Sequence, residues 1–149
     1  MALFEKLNEE IKRAMIQKDK TRLETLRAIK SAFLLAKTEK GAPVELPEEA
    51  ELKILQKMVK QRKESADIYK SQDRNDLALK ELEEASVIET FLPVMLPEEE
   101  IEKELKIIID EVGASSPSDM GKVMGIATRK LAGRADGKMM AAKVRDLLS

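Results

Sequence analysis

The chain contains no cysteine and no histidine. Disulfides, thiolate nucleophiles, Cys/His zinc sites and imidazole general bases are therefore excluded. Tryptophan is absent too, and aromatics make up only 3% of the 149 residues. A core must then be built from Leu, Ile, Val, Met and Ala, a set that favours packed helices over sheet sandwiches. So few aromatics also argue against stacking of unpaired bases. No apolar run approaches the roughly 20 residues a membrane helix requires. The opening residues, MALFEKLNEEIKRAM, bring in charge at Glu5 and Lys6, unlike a secretion signal. Together these absences predict a cytoplasmic protein with no membrane partner and no cofactor.

What is present is a strong contrast of apolar and charged residues, 43% hydrophobic and 37% charged. That supports an ordered core under a highly charged surface, in one domain or two small ones. The net charge of −1 hides local asymmetry. Residues 1–40 hold ten basic and six acidic side chains, 93–112 two and seven, and 113–149 seven and three. Fields act patch by patch, so a near-neutral total leaves room for an anionic partner.

Nearly every segment carries helical spacing, and the expected class is all-α. Phe4, Leu7, Ile11 and Ala14 mark a first helix over about 3–18. Asp19 suits the N-cap of a second, over about 20–40 and ended by Gly41. Leu26, Ile29, Phe33 and Leu34 form its buried side, widened by Ala28, Ala32 and Leu35. Residues 41–47 form a loop. Pro47 fits the first position of a third helix, with Leu55, Val59, Ala66, Tyr69 and the stem of Arg62 inward. Lys53, Lys57 and Lys60 fall on another face. Residues 71–76 break the pattern. A fourth helix buries Leu82, Ala85 and Ile88 and ends near 91–92.

Two prolines, Pro93 and Pro97, mark the main boundary. Pro97 and Glu98–Glu100 start a fifth helix that Gly113 ends. Ser116, Pro117 and Asp119 supply a cap, a proline at N1 and an acid at N3 for a sixth helix over about 117–130. Residues 133–136 turn the chain, and Asp136 caps a seventh helix. Leu-Pro-Glu-Glu occurs at 46–49 and 96–99; the sequences downstream differ, so the phrase reads as a helix start used twice. The expected organisation is an N-terminal helical bundle (1–92) and a small three-helix C-terminal domain (97–149).

The 113–149 stretch is the most informative. Gly121, Gly125, Thr128 and Ala132 form a small-residue stripe, read as close packing of helices five and seven; the alternative is close approach of a nucleic-acid backbone or partner helix. Met120, Val123, Met124, Met139 and Met140 read as core. Lys122 and Arg129 share one helix face, Lys130 is adjacent, and Arg134 and Lys138 lie in and after the turn. Phosphate contact needs several cations and little else, so these five are candidate RNA-binding residues. Residues 133–138, GRADGK, are one residue short of a P-loop, lack its Ser/Thr and follow a helix, so they are not one. Carboxylate pairs sit in first turns or at exposed positions, and serines lack a base. No catalytic or metal residue is assigned.

The phrases DMGKVMG (119–125) and GRADG (133–137), after VGASS (112–116), closely resemble the YqeY family. KQRKES (60–65), FLP (91–93) and LPEE (96–99) extend that resemblance over essentially the whole chain. Over about 97–149 the chain also resembles the tail domain of the GatB subunit of tRNA-dependent amidotransferase. The resemblance implies two helical domains. It further implies that Lys122, Arg129, Lys130, Arg134 and Lys138 face tRNA or another structured RNA, as that tail is thought to hold the tRNA elbow. The transferase chemistry belongs to other domains, so a family label of carbon–nitrogen ligase with glutamine as amide donor would be inherited from the larger enzyme. The expected function is a non-catalytic RNA-binding module. The alternatives are an accessory part of an amidotransferase or a protein–protein adaptor with a protein partner.

Overall fold

A computed structural model describes residues 2–39, 41 and 45–149. Within it the chain is all-α. The helices are α1 (Ala2–Gln17), α2 (Lys20–Thr38), α3 (Glu48–Ser71), α4 (Asn75–Glu89), α5 (Glu98–Val112), α6 (Met120–Lys130) and α7 (Gly137–Leu148), with a 3₁₀ turn at Pro117–Asp119 before α6. Two compact units result, Met1–Leu92 and Pro93–Ser149. Residues 42–44 of the expected first loop lie outside the described residues.

In the first unit, Leu7, Leu26, Ile29, Phe33, Leu55 and Ile88 are fully buried in one core. Glu10 of α1 ties down α2 through Arg22 at 3.0 Å. The most extensive pairing is α3 with α4. Across it Arg62 Nη1 lies 2.7 Å from Glu84 Oε2 and 3.6 Å from Glu81 Oε2. The two tight turns use non-glycine residues in the left-handed region, Lys18 (φ 55°) and Asp73 (φ 57°). Each is closed by a backbone bond beyond it: Asp19 N–H to the Ala14 carbonyl at 3.0 Å, and Arg74 N–H to the Tyr69 carbonyl at 2.8 Å. Such bonds absorb carbonyls that the helix end leaves unpaired.

Several expectations are refined here. Asp19 does cap α2, accepting from the Arg22 amide. The helix stops at Thr38 rather than at Gly41, with Glu39 already extended. Leu34 and Leu35 were expected on the buried side but stand 45% and 67% exposed. The buried stripe is narrower, and Thr25 fills it instead, its hydroxyl satisfied by the Thr21 carbonyl at 2.9 Å. Leu82 and Tyr69 are half-buried rather than core. Glu51 and Leu52, not anticipated, are buried on α3. Burial pushes the Glu51 carboxyl above its ordinary pKa, against the weaker pull of Lys37.

The two LPEE phrases fold alike. Both prolines are N-caps rather than first helical residues, with ψ near 150°. Each carbonyl accepts the amides three and four residues on, Ala50 and Glu51 at Pro47, Glu100 and Ile101 at Pro97. The fixed φ of proline suits either place, and at the cap its missing N–H costs nothing.

The second unit closes around Ile101, Leu105, Ile108, Val123, Ala127 and Val144. Gly113 ends α5 with φ 68°, a left-handed conformation that glycine adopts without strain. Ser116 and Asp119 form the expected capping box, although the first turn is 3₁₀ and α6 proper starts at Met120. Gly133 (φ 74°) is buried in the turn between α6 and α7. That turn also anchors the segment before α5, because the Leu96 amide donates to the Arg134 carbonyl at 2.9 Å.

Candidate nucleic-acid interface

The α6 helix turns Val123 and Ala127 into the core, with Met120, Met124 and Ile126 packed partly against it. The opposite side carries Gly121, Lys122, Gly125 and Arg129, all exposed. Gly121, Gly125 and Arg129 recur every four residues and Lys122 lies seven before Arg129, so helical geometry groups them. Nothing lies within 4 Å of where a Cβ would stand at Gly121 or Gly125. The expected role of these glycines, close packing of α5 and α7, is therefore overturned. They lie on the solvent side, away from the face that packs. Thr128 and Ala132 are half-buried flank positions.

Arg129 folds back along the helix, its Nε donating to the Gly125 carbonyl at 3.1 Å. The two terminal nitrogens of the guanidinium remain for another partner. Arg134 is exposed in the turn, and Lys138 is exposed in the first turn of α7. The Lys138 amide donates to the Asp136 carboxylate at 3.4 Å, which caps α7. At the start of α6, Asp119 accepts the amides of Ser115 (3.1 Å) and Ser116 (3.3 Å). Those bonds hold its carboxyl below its ordinary pKa.

The structure separates the cations that the sequence grouped. Lys130 points to α5 and pairs with Glu104 at 3.1 Å. Lys143 pairs with Glu98 at 2.9 Å and lies 3.9 Å from Glu102. Its ammonium pKa is raised, first by the bond to Glu98. Part of the acidic run of 93–112 thus neutralises part of the basic excess of 113–149. Lys122, Arg129, Arg134 and Lys138 make no ion pair among the described residues. Arg145, outside the candidate set, is also exposed; its place in an overall basic segment was the only signal that could have pointed to it.

Among the described residues no group of acidic side chains is arranged to hold a metal ion. No helix there is long and apolar enough to cross a membrane. Both the fold and the site define a class: a small all-helical protein that presents solvent-facing cations on a glycine-opened helix.

The YqeY family, described as "Yqey-like protein", matches residues 4–148, and the chain belongs to it. It is similar to "Altered inheritance of mitochondria protein 41, mitochondrial" of Clavispora lusitaniae, 37% identical over 118 residues, 76% of this chain and 66% of that protein. The protein of the same name from Meyerozyma guilliermondii is 37% identical over 94 residues, 61% of this chain and 47% of its own length. The chain therefore spans between about half and two thirds of these relatives. The expectation of a cytoplasmic protein is overturned by them, since both are named mitochondrial. The absence of cysteine bears on oxidation and does not distinguish one reducing compartment from another.

Proposed function

We propose that the chain is a non-catalytic helical module that holds structured RNA, tRNA in the first instance, through phosphate contacts from α6 and the turn after it. One observation carries this reading: Gly121 and Gly125 open the solvent face of α6 beside Lys122 and Arg129, cations that make no ion pair among the described residues. Glycine at two exposed helical positions, Gly121 in the first turn of α6 and Gly125 in its middle, lowers helix stability and gains no packing here. It does bring the backbone close to whatever docks there. Arg134 and Lys138 extend the cationic track. The resemblance of 97–149 to the GatB tail supports the same partner. Shape and phosphate recognition suit double-helical RNA, whose deep groove side chains cannot read.

A titration of tRNA at several salt concentrations tests the proposal. Binding should weaken steeply with salt and should fall when Lys122, Arg129 and Arg134 are replaced by Ala. Lys130→Ala should matter less, because Glu104 already holds that ammonium. No binding at low salt, or binding indifferent to the triple substitution, sinks the proposal. A partner retained from lysate after nuclease digestion would favour the adaptor reading instead.

A second reading, an accessory part of a glutamine-dependent amidotransferase, rests on the wording DMGKVMG and GRADG alone. Adding the protein to a transamidation reaction that lacks a tail domain tests it, and an unchanged rate counts against it.

A further inference from the structure

The first unit carries a cationic row that the α6 site does not use. Lys53, Lys57 and Lys60 recur on α3 at spacings of four and three, and all are exposed. At 1.5 Å per residue the row spans about 10 Å. Among the described residues Lys53 has one ion-pair partner, Glu49, at a loose 3.8 Å. Lys57 and Lys60 make no ion pair among the described residues. Lysines four apart on an exposed helix repel one another, so the row lacks an internal reason to be basic.

The chemistry of its surroundings selects the partner. A helix that lies on a membrane needs large apolar side chains beside its cations. Along this row Ile54 and Met58 turn to the core. The exposed apolar residue of α3, Ile68, lies eight positions beyond Lys60, about 12 Å along the axis. What remains is a line of ammonium groups with no apolar flank. A nucleic-acid strand presents one negative charge per ~3.4 Å of axis, a spacing that a 10 Å row of three cations can follow.

We infer that Lys53, Lys57 and Lys60 form a second phosphate-contact surface for an RNA backbone, in the N-terminal unit. The inference rests on the RNA reading above and adds a contact that lies outside the GatB-like segment. Each contacted phosphate releases counterions, so each lysine contributes to the salt dependence of binding independently of α6.

The experiment is a tRNA titration with the full chain across roughly 50–300 mM salt, comparing log affinity with log salt. Lys57→Gln with Lys60→Gln should flatten the slope by about 0.7–0.9 per lysine. Lys57→Arg with Lys60→Arg should keep the original slope. Thermal melting confirms that each variant is folded, as exposed positions lead one to expect. An unaltered slope in the Gln variant, while Lys122→Gln with Arg129→Gln flattens it, overturns this inference and leaves the α6 proposal standing. No tRNA binding by the unaltered chain removes both. If the Gln variant loses affinity for phosphatidylserine vesicles and keeps it for tRNA, the row serves a lipid surface and the inference fails.

Discussion

At the scale of residues, the glycines of α6 separate stability from function. Gly121 and Gly125 have helical backbones and open space where a Cβ would stand. Replacing Gly125 by Ala should therefore stabilise the second unit by roughly 0.8–1 kcal/mol, the helix-interior propensity difference, and replacing Gly121, in the first turn, should stabilise it by less. The same substitutions should weaken tRNA binding if a backbone docks there. Thermal melting and the titration read the two effects separately; a variant both more stable and fully competent in binding would make the glycines incidental. Asp119 gives a pH-dependent test. Its carboxyl is held below its ordinary pKa by the Ser115 and Ser116 amides. Its contribution is thus present above the unfolded carboxylate pKa and is lost as pH falls through the lower folded value. Asp119→Asn should lower the melting temperature at pH 7, and the gap to the parent should close at a pH well below the ordinary aspartate range. A gap that persists unchanged at that pH would show that the amide bonds are not what the carboxylate supplies. The first case was not legible from spacing alone. The capping box was, because its residues are local; the exposure of the glycines depended on which face of α6 the core took.

At the scale of elements, the α3–α4 hairpin depends on one arginine. Arg62 sits between Glu81 and Glu84, and Glu84 is buried. Arg62→Ala leaves that carboxylate without its cation. We expect a loss of about 2 kcal/mol, below the 3–5 kcal/mol of a fully buried pair because the Arg62 side chain keeps 30% exposure. Denaturant unfolding measures it, and Glu84→Gln in the same background should recover part of the loss. Sequence spacing placed the stem of Arg62 inward but could not name its partners, which lie about twenty residues on. The α5 helix teaches the same lesson. In the sequence its acids count only toward the charge of 93–112, yet Glu104 and Glu98 each take a particular lysine. The turns at Lys18 and Asp73 were legible as breaks but not as left-handed positions, since no glycine marks them.

At the scale of the whole molecule, each unit has its own closed core. Leu105 is fully buried in the second. Leu105→Ala should cost about 3 kcal/mol through lost burial and the cavity left behind. Native-state hydrogen exchange should then accelerate in α5, α6 and α7 while α2, α3 and α4 keep their protection. Uniform acceleration along the chain would instead mark one cooperative unit. By itself the sequence determined the all-α class, the helix starts to within a few residues and the stop of α5 at Gly113. Those follow from residue types, local hydrogen bonding and a 3.6-residue period, all of which act within a few positions. It also determined the absence of cysteine and histidine chemistry. Only the tertiary structure decided that Gly121 and Gly125 face solvent, that Leu34 and Leu35 do too, and that Lys130 and Lys143 are spent on α5. Burial and ion pairing are contests among segments far apart in the chain. Their outcome is fixed only when the elements have chosen their neighbours.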